Sequence, residues 1–167
     1  MKQILKDYTY TAEELRQIVL ATDRDYIEGL GMAVNNTNEH QVIQTDLLQN
    51  YLVRFGRRNI LTETRLSDKI RITPDITIWE KIEREGKKMT PKNPLLTIEI
   101  THNTHNDRYS EKNVYAVFKY FPSVQESFIY NYDKDQWTRY RRTAKGVEKE
   151  SDKDYSSLLG CYLHTLL

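Results

Sequence analysis

Two short alternating runs joined around one glycine constrain this chain more than any other feature. Ile72 to Trp79 reads ITPDITIW and Pro94 to Asn103 reads PLLTIEITHN, and each carries one carboxylate, Asp75 and Glu99. Side chains alternate between the faces of a strand. Asp75, Thr77 and Trp79 therefore share one face, with Ile76 and Ile78 on the other. Leu95, Thr97, Glu99 and Thr101 share a face in the second run, opposite Leu96, Ile98 and Ile100. The intervening Glu80 to Asn93 is polar, contains Gly86 and a proline, and reads as a long turn. An antiparallel hairpin about Gly86 and Lys87 sets Asp75 against Glu99, Thr77 against Thr97 and Trp79 against Leu95.

Two carboxylates held that close repel, and one resists ionisation unless a cation lies between them. Mg²⁺ prefers oxygen donors and keeps several waters, so two carboxylates and a backbone carbonyl suffice. Such an ion polarises a phosphodiester and activates water. The other reading is two acids on a solvated sheet face that bind nothing, since exposed charge is the default.

The remaining pattern predicts helices and strands in mixed order. A capping box at TAEE starts a helix at Thr11, and Asp25 to Val34 reads as a strand or bent hairpin broken by Gly29 and Gly31. Ile43, Leu47 and Tyr51, flanked by Leu48, Leu52 and Phe55, predict an amphipathic helix from about Asn38 to Phe55, with Glu39 at the head of its stripe. Strands are expected over Ile60 to Leu66 and Lys69 to Ile72. A third helix follows from about Asp107 to Phe121, ended by Pro122. Strands at Ser127 to Tyr132 and Gln136 to Arg142 flank a turn at Asp133 to Asp135. Lys145 to Asp154 reads as a charged surface loop, and the tail from Tyr155 as a packed turn or short helix. The expected class is mixed α/β (α+β), a central mixed sheet flanked by helices, with 1–167 as one domain.

Composition narrows the function classes. A net charge of +1 argues against dominant nonspecific nucleic-acid binding without excluding a local basic face. Cys161 is the sole cysteine, which points to a reducing, cytoplasmic compartment and an inert packed thiol. No apolar run approaches the roughly 20 residues of a membrane span. The N-terminal MKQILKDYTY lacks a small-residue cleavage site, so no signal peptide is expected. Nucleophile elbows, phosphate loops and dinucleotide glycine patterns are missing. Arg54, Arg57 and Arg58, and Arg139, Arg141 and Arg142, are candidate phosphate contacts or solvated side chains.

The ordered motifs Glu39-His40, Pro74-Asp75, Glu99 in IEI, Asp107 with Lys112, and the strands of Val124 to Tyr140 resemble the PD-(D/E)XK (restriction-endonuclease-like) superfamily. Within it they look like a branch of small, single-domain, mostly bacterial endonucleases, over a span from roughly Thr9 to the C-terminus. The resemblance implies a metal-dependent endonuclease acting on DNA. Asp75, Glu99 and the Ile100 carbonyl would hold Mg²⁺ or Mn²⁺, and Lys112 would assist the attacking water. By analogy it implies a homodimer. Glu39 is then a third ligand, or simply a carboxylate favoured at a helix N-terminus. His40 matches the branch without an assigned role, and a capping or buried hydrogen-bonded histidine is the plainer reading.

Two departures stand out. The superfamily's lysine two residues after the second acid is replaced by Thr101. The branch's lysine, four residues after the helical Asp, would fall at Glu111. Lys112 comes one later and lies about 160° from Val114 on the helical wheel. Either the helix starts after Lys112 or another cation serves, with Lys119, His102 and His105 in the field. The two histidines, read as a loop between strand and helix, suit phosphate contact, zinc or an ordinary polar loop. His102 also stands where the branch tends to have a small hydroxyl residue. Competing functions are a catalytically decayed nuclease-fold module binding nucleic acid or a protein partner, and an unrelated hydrolase using His102 or His105.

Overall fold

A computed structural model describes residues 3–5, 37–67 and 69–167. The helix expected at Thr11 and the run Asp25 to Val34 lie outside the described residues.

A seven-stranded sheet organises these residues. Its strands are β1 (Gln3–Leu5), β2 (Ile60–Thr62), β3 (Ile76–Glu85), β4 (Lys88–Thr101), β5 (Glu126–Asn131), β6 (Gln136–Thr143) and β7 (Gly146–Ser151). Their order is β1-β7-β6-β5-β4-β3-β2. Only β4 and β5 run parallel. Parallel neighbours need a crossover, and α2 (Thr104–Tyr120) supplies it. Among the described residues the other α-helix, α1 (Asn38–Phe55), precedes β2.

The sheet is buried on both faces. Ile76, Ile78, Leu96, Ile98, Ile100 and Phe128 pack against Leu47 and Tyr51 of α1. Trp79, Ile129 and Tyr140 pack against Val114, Val117 and Phe118 of α2. The mixed sheet flanked by helices is therefore the observed class.

The α1 limits agree with its period. Thr37 accepts from His40 N at its start, and Gly56 closes it with φ +61°, the left-handed conformation glycine tolerates. Its stripe is headed by His40 rather than Glu39. Seven residues before Leu47 is about two turns, whereas eight overshoots by about 80°. His40 is accordingly buried and Glu39 exposed, and Leu52 also reaches solvent.

The β3–β4 hairpin turns at Gly86 and Lys87, with Glu85 opposite Lys88 and Gly86 at φ +57°. Positive φ at the first central residue is what two-residue hairpin turns require. The stretch expected as a long turn is thus mostly strand. Thr77 faces Thr97 as expected, but a register shift after Ile78 puts Trp79 opposite Pro94, not Leu95. Proline has no N–H for the ladder. The Trp79 carbonyl accepts from Asn59 Nδ2 instead, at 2.5 Å.

Three further expectations are corrected. Past β2 the chain leaves the sheet: Glu63 has φ +46°, and a loop closes by Leu66 N–H donating to Ile72 O at 3.0 Å. The helix after β4 starts at Thr104, capped by Asn103, so His105 falls in its first turn and Lys112 lies well inside it. Gly146–Ser151 is strand β7, not a loop, because Glu148 and Glu150 pair with Arg141 and Arg139 across from it. The tail forms β8 (Tyr155–Ser156), β9 (Cys161–Tyr162) and a 3₁₀ turn burying Leu163 and Leu166.

Candidate active site

Continuing the β3–β4 register past Ile76 and Ile98 sets Asp75 beside Glu99 and Pro74 beside Ile100. Pro74 has no amide hydrogen, so the ladder cannot continue there. The Ile100 N–H donates instead to Asp75 Oδ2 at 2.6 Å. The PD dipeptide thereby ends the pairing, gives Ile100 O no amide donor from Pro74, and fixes the Asp75 carboxylate at the strand end. The Asp75 carbonyl is held as well, by Gln44 Nε2 at 2.8 Å and Glu63 N at 3.0 Å.

Alpha-helix α1 reaches the same carboxylate. His40 Nε2 lies 3.2 Å from Asp75 Oδ1, while His40 Nδ1 is buried without a hydrogen-bond partner among the described residues. Burial pulls the His40 pKa down, but the bond to Asp75 and the charges of Asp75 and Glu63 outweigh it, and the net shift is upward.

Glu99 is buried, 8% exposed. Burial first, and the Asp75 charge second, push its carboxyl well above the usual carboxylate range. Asp75 and Glu99 thus lie near enough for their charges to interact.

Two residues beyond Glu99, Thr101 donates its hydroxyl to Asp107 Oδ1. Asp107, in the first turn of α2, also accepts from Asn131 Nδ2 with both oxygens at 2.9 Å. Lys134 Nζ stands 3.3 Å from Asp107 Oδ2, and Lys134 N–H donates to Asn131 Oδ1. Tyr132 bonds the Thr37 hydroxyl at 2.9 Å and stacks on His102, with ring centroids 5.9 Å apart. The N-termini of both helices therefore meet at the C-terminal ends of β4 and β5. That end of an open α/β sheet is where ligands bind, and helix N-termini favour anions.

The other candidates fall elsewhere. Lys112 is exposed, about 140° around α2 from Asp107. Glu111, at the branch's lysine position, binds Lys149 Nζ at 2.6 Å and accepts from Tyr140 OH. Arg139 and Arg141 are paired with Glu150 and Glu148, and Arg142 donates to the Phe118 and Val124 carbonyls, so these three hold the fold together. Arg54 donates to Thr165. Asn131 and Lys134 escape sequence reasoning, because their proximity to Asp107 arises only from strand order.

Among the described residues no three His, Cys, Asp or Glu side chains converge as a metal cage. The donor set still fits a hard divalent cation, which needs only one or two carboxylates, a carbonyl and waters. Glu99, disfavoured as an anion by burial and by Asp75, is the kind of group such an ion compensates.

No protein-family model and no curated protein matches the sequence. Among solved structures, the chain is similar to one described as a "putative nuclease belonging to DUF820" from Anabaena variabilis ATCC 29413. The TM-score is 0.57 at 20% identity, over 78% of this chain and 81% of that one. The likeness is one of fold.

Proposed function

We propose that the chain is a metal-dependent endonuclease of the PD-(D/E)XK type that hydrolyses phosphodiester bonds in DNA, with 1–167 forming one catalytic domain. The observation that carries this reading is the Asp75–Glu99 pair, in which burial first and the Asp75 charge second disfavour ionisation of Glu99 on the neighbouring strand. The fold shared with a putative nuclease supports it.

Asp75, Glu99 and the Ile100 carbonyl would hold Mg²⁺ or Mn²⁺, with Glu39 contributing through water from the exposed first turn of α1. When bound, the ion supplies Lewis-acid polarisation of the phosphate and acidification of water. The protein's own part is orientation. The Ile100 N–H and His40 each occupy one oxygen of Asp75, so its remaining lone pairs point in a fixed direction. The helix N-termini at Thr37 and Asn103 face the same end and favour the phosphate's negative charge.

Plasmid DNA incubated with the protein and Mn²⁺ or Mg²⁺ tests this. Nicking or linearisation is expected, abolished by chelation and lost in Asp75→Asn and in Glu99→Gln. Cleavage that survives both substitutions excludes the acid pair as the site.

A further inference from the structure

We infer that Lys134, in the turn between β5 and β6, is the cation that contacts the scissile phosphate beside the acid pair. The inference rests on the nuclease reading and assigns a residue that neither motif spacing nor that reading supplies.

The position two residues after the second acid is Thr101, which has no charge to offer. Its hydroxyl is bonded to Asp107, and the other oxygen of Asp107 meets Lys134 Nζ at 3.3 Å. The ammonium is therefore two contacts and one carboxylate away from the Thr101 side chain, at most roughly 8 Å. Thr101 and Glu99 share a strand face and stand about 7 Å apart along it. Lys134 is also held from behind, because its backbone N–H bonds Asn131 Oδ1 at the end of β5. Its side chain is 45% exposed, which leaves room for a phosphate to approach.

Rival cations are worse placed. Lys112 is exposed and about 140° around α2 from Asp107. Lys149, on β7, is tied to Glu111 of α2 and lies over the Tyr140 ring. The lysine expected on α2 has in effect been replaced by one delivered from the next turn, with Asp107 as its tether.

In the reaction a bond forms from water oxygen to phosphorus and one phosphorus–ester oxygen bond breaks. The attacking water gives up one proton and the leaving oxygen gains one. Lys134 keeps its proton throughout and neutralises charge growing on the non-bridging oxygens.

The test is single-turnover cleavage of a linear DNA duplex in Mn²⁺ by wild type, Lys134→Met, Lys134→Arg and Lys134→Cys, the last before and after aminoethylation with 2-bromoethylamine. Cys161 is buried, leaving residue 134 as the reactive thiol. Lys134→Met is expected to lose about 10²–10³-fold in rate, on the scale of removing one charge-stabilising donor. Mn²⁺ affinity and melting temperature should stay at wild-type values, and aminoethylation should restore most of the loss in the Cys variant. Lys134→Arg should retain more activity than Lys134→Met. Full activity in Lys134→Met, or loss that aminoethylation does not recover, overturns the inference while wild-type cleavage keeps the nuclease reading. Wild type as inert as Asp75→Asn removes both.

Discussion

The Asp75 carboxylate accepts the Ile100 N–H at 2.6 Å, in the place where the sheet ladder would otherwise continue. That bond converts a strand end into a fixed anion next to buried Glu99, and the expected behaviour of variants follows from it.

Asp75→Asn preserves shape and removes the charge. Cleavage should fall by at least about 10²-fold, as for loss of a key electrostatic group. Urea unfolding should move by no more than about 1–3 kcal/mol, since the Ile100 N–H can still find the Asn oxygen. Paired activity and unfolding measurements check this.

Glu99→Gln should stabilise the metal-free protein at neutral pH. The folded-state pKa of Glu99 is raised, so the folded form binds the proton more tightly than the unfolded chain. Stability is then greatest below the ordinary carboxylate range and declines as pH rises through it toward the folded pKa. Removing the ionisable group removes that decline. Thermal melts should show the variant gaining on wild type as pH goes from 4 to 8, by about 2–4 °C for each kcal/mol relieved. Saturating Mn²⁺ should reverse the ranking by stabilising wild type alone.

His40→Ala leaves a cavity under α1 and takes away the group 3.2 Å from Asp75 Oδ1. A loss of about 1–3 kcal/mol in urea unfolding is expected. His40→Gln, which can still donate to Asp75, should recover part of both stability and cleavage rate.

Glu126 is buried at the far end of β5 and accepts from Ser156 Oγ, Ser157 N and Leu158 N. Glu126→Ala should cost about 3 kcal/mol by leaving those donors unpaired. Limited proteolysis should then cut near residues 155–160, while the intact fraction keeps its cleavage rate.

How much of this is legible in the sequence depends on which periodicity carries it. The acid pair is legible only in part: strand alternation with its period of two assigns each acid to a face, but counting from the turn at Gly86 and Lys87 sets Asp75 opposite Ile98, and the register shift after Ile78 is what brings it opposite Glu99. The limits of α1 follow from its apolar stripe in the same way, but assigning Glu39 to that stripe fails by one residue of helical phase. Strand β7 is not legible: Gly146 to Ser151 offers one apolar residue, Val147, and its place in the sheet comes from Glu148 and Glu150 meeting Arg141 and Arg139. Those arginines look like phosphate contacts only until their partners are known. Lys134 is invisible for a related reason, because its link to Asp107 spans 27 residues and exists only once β5 lies parallel to β4.

The most direct measurement is anomalous X-ray scattering from a crystal soaked in Mn²⁺. A peak in contact with the carboxylates of both Asp75 and Glu99 is the expected result, absent from Glu99→Gln crystals soaked alike. Saturating Mn²⁺ that leaves no peak there, or one that persists unchanged in Glu99→Gln, contradicts a metal site built on this pair.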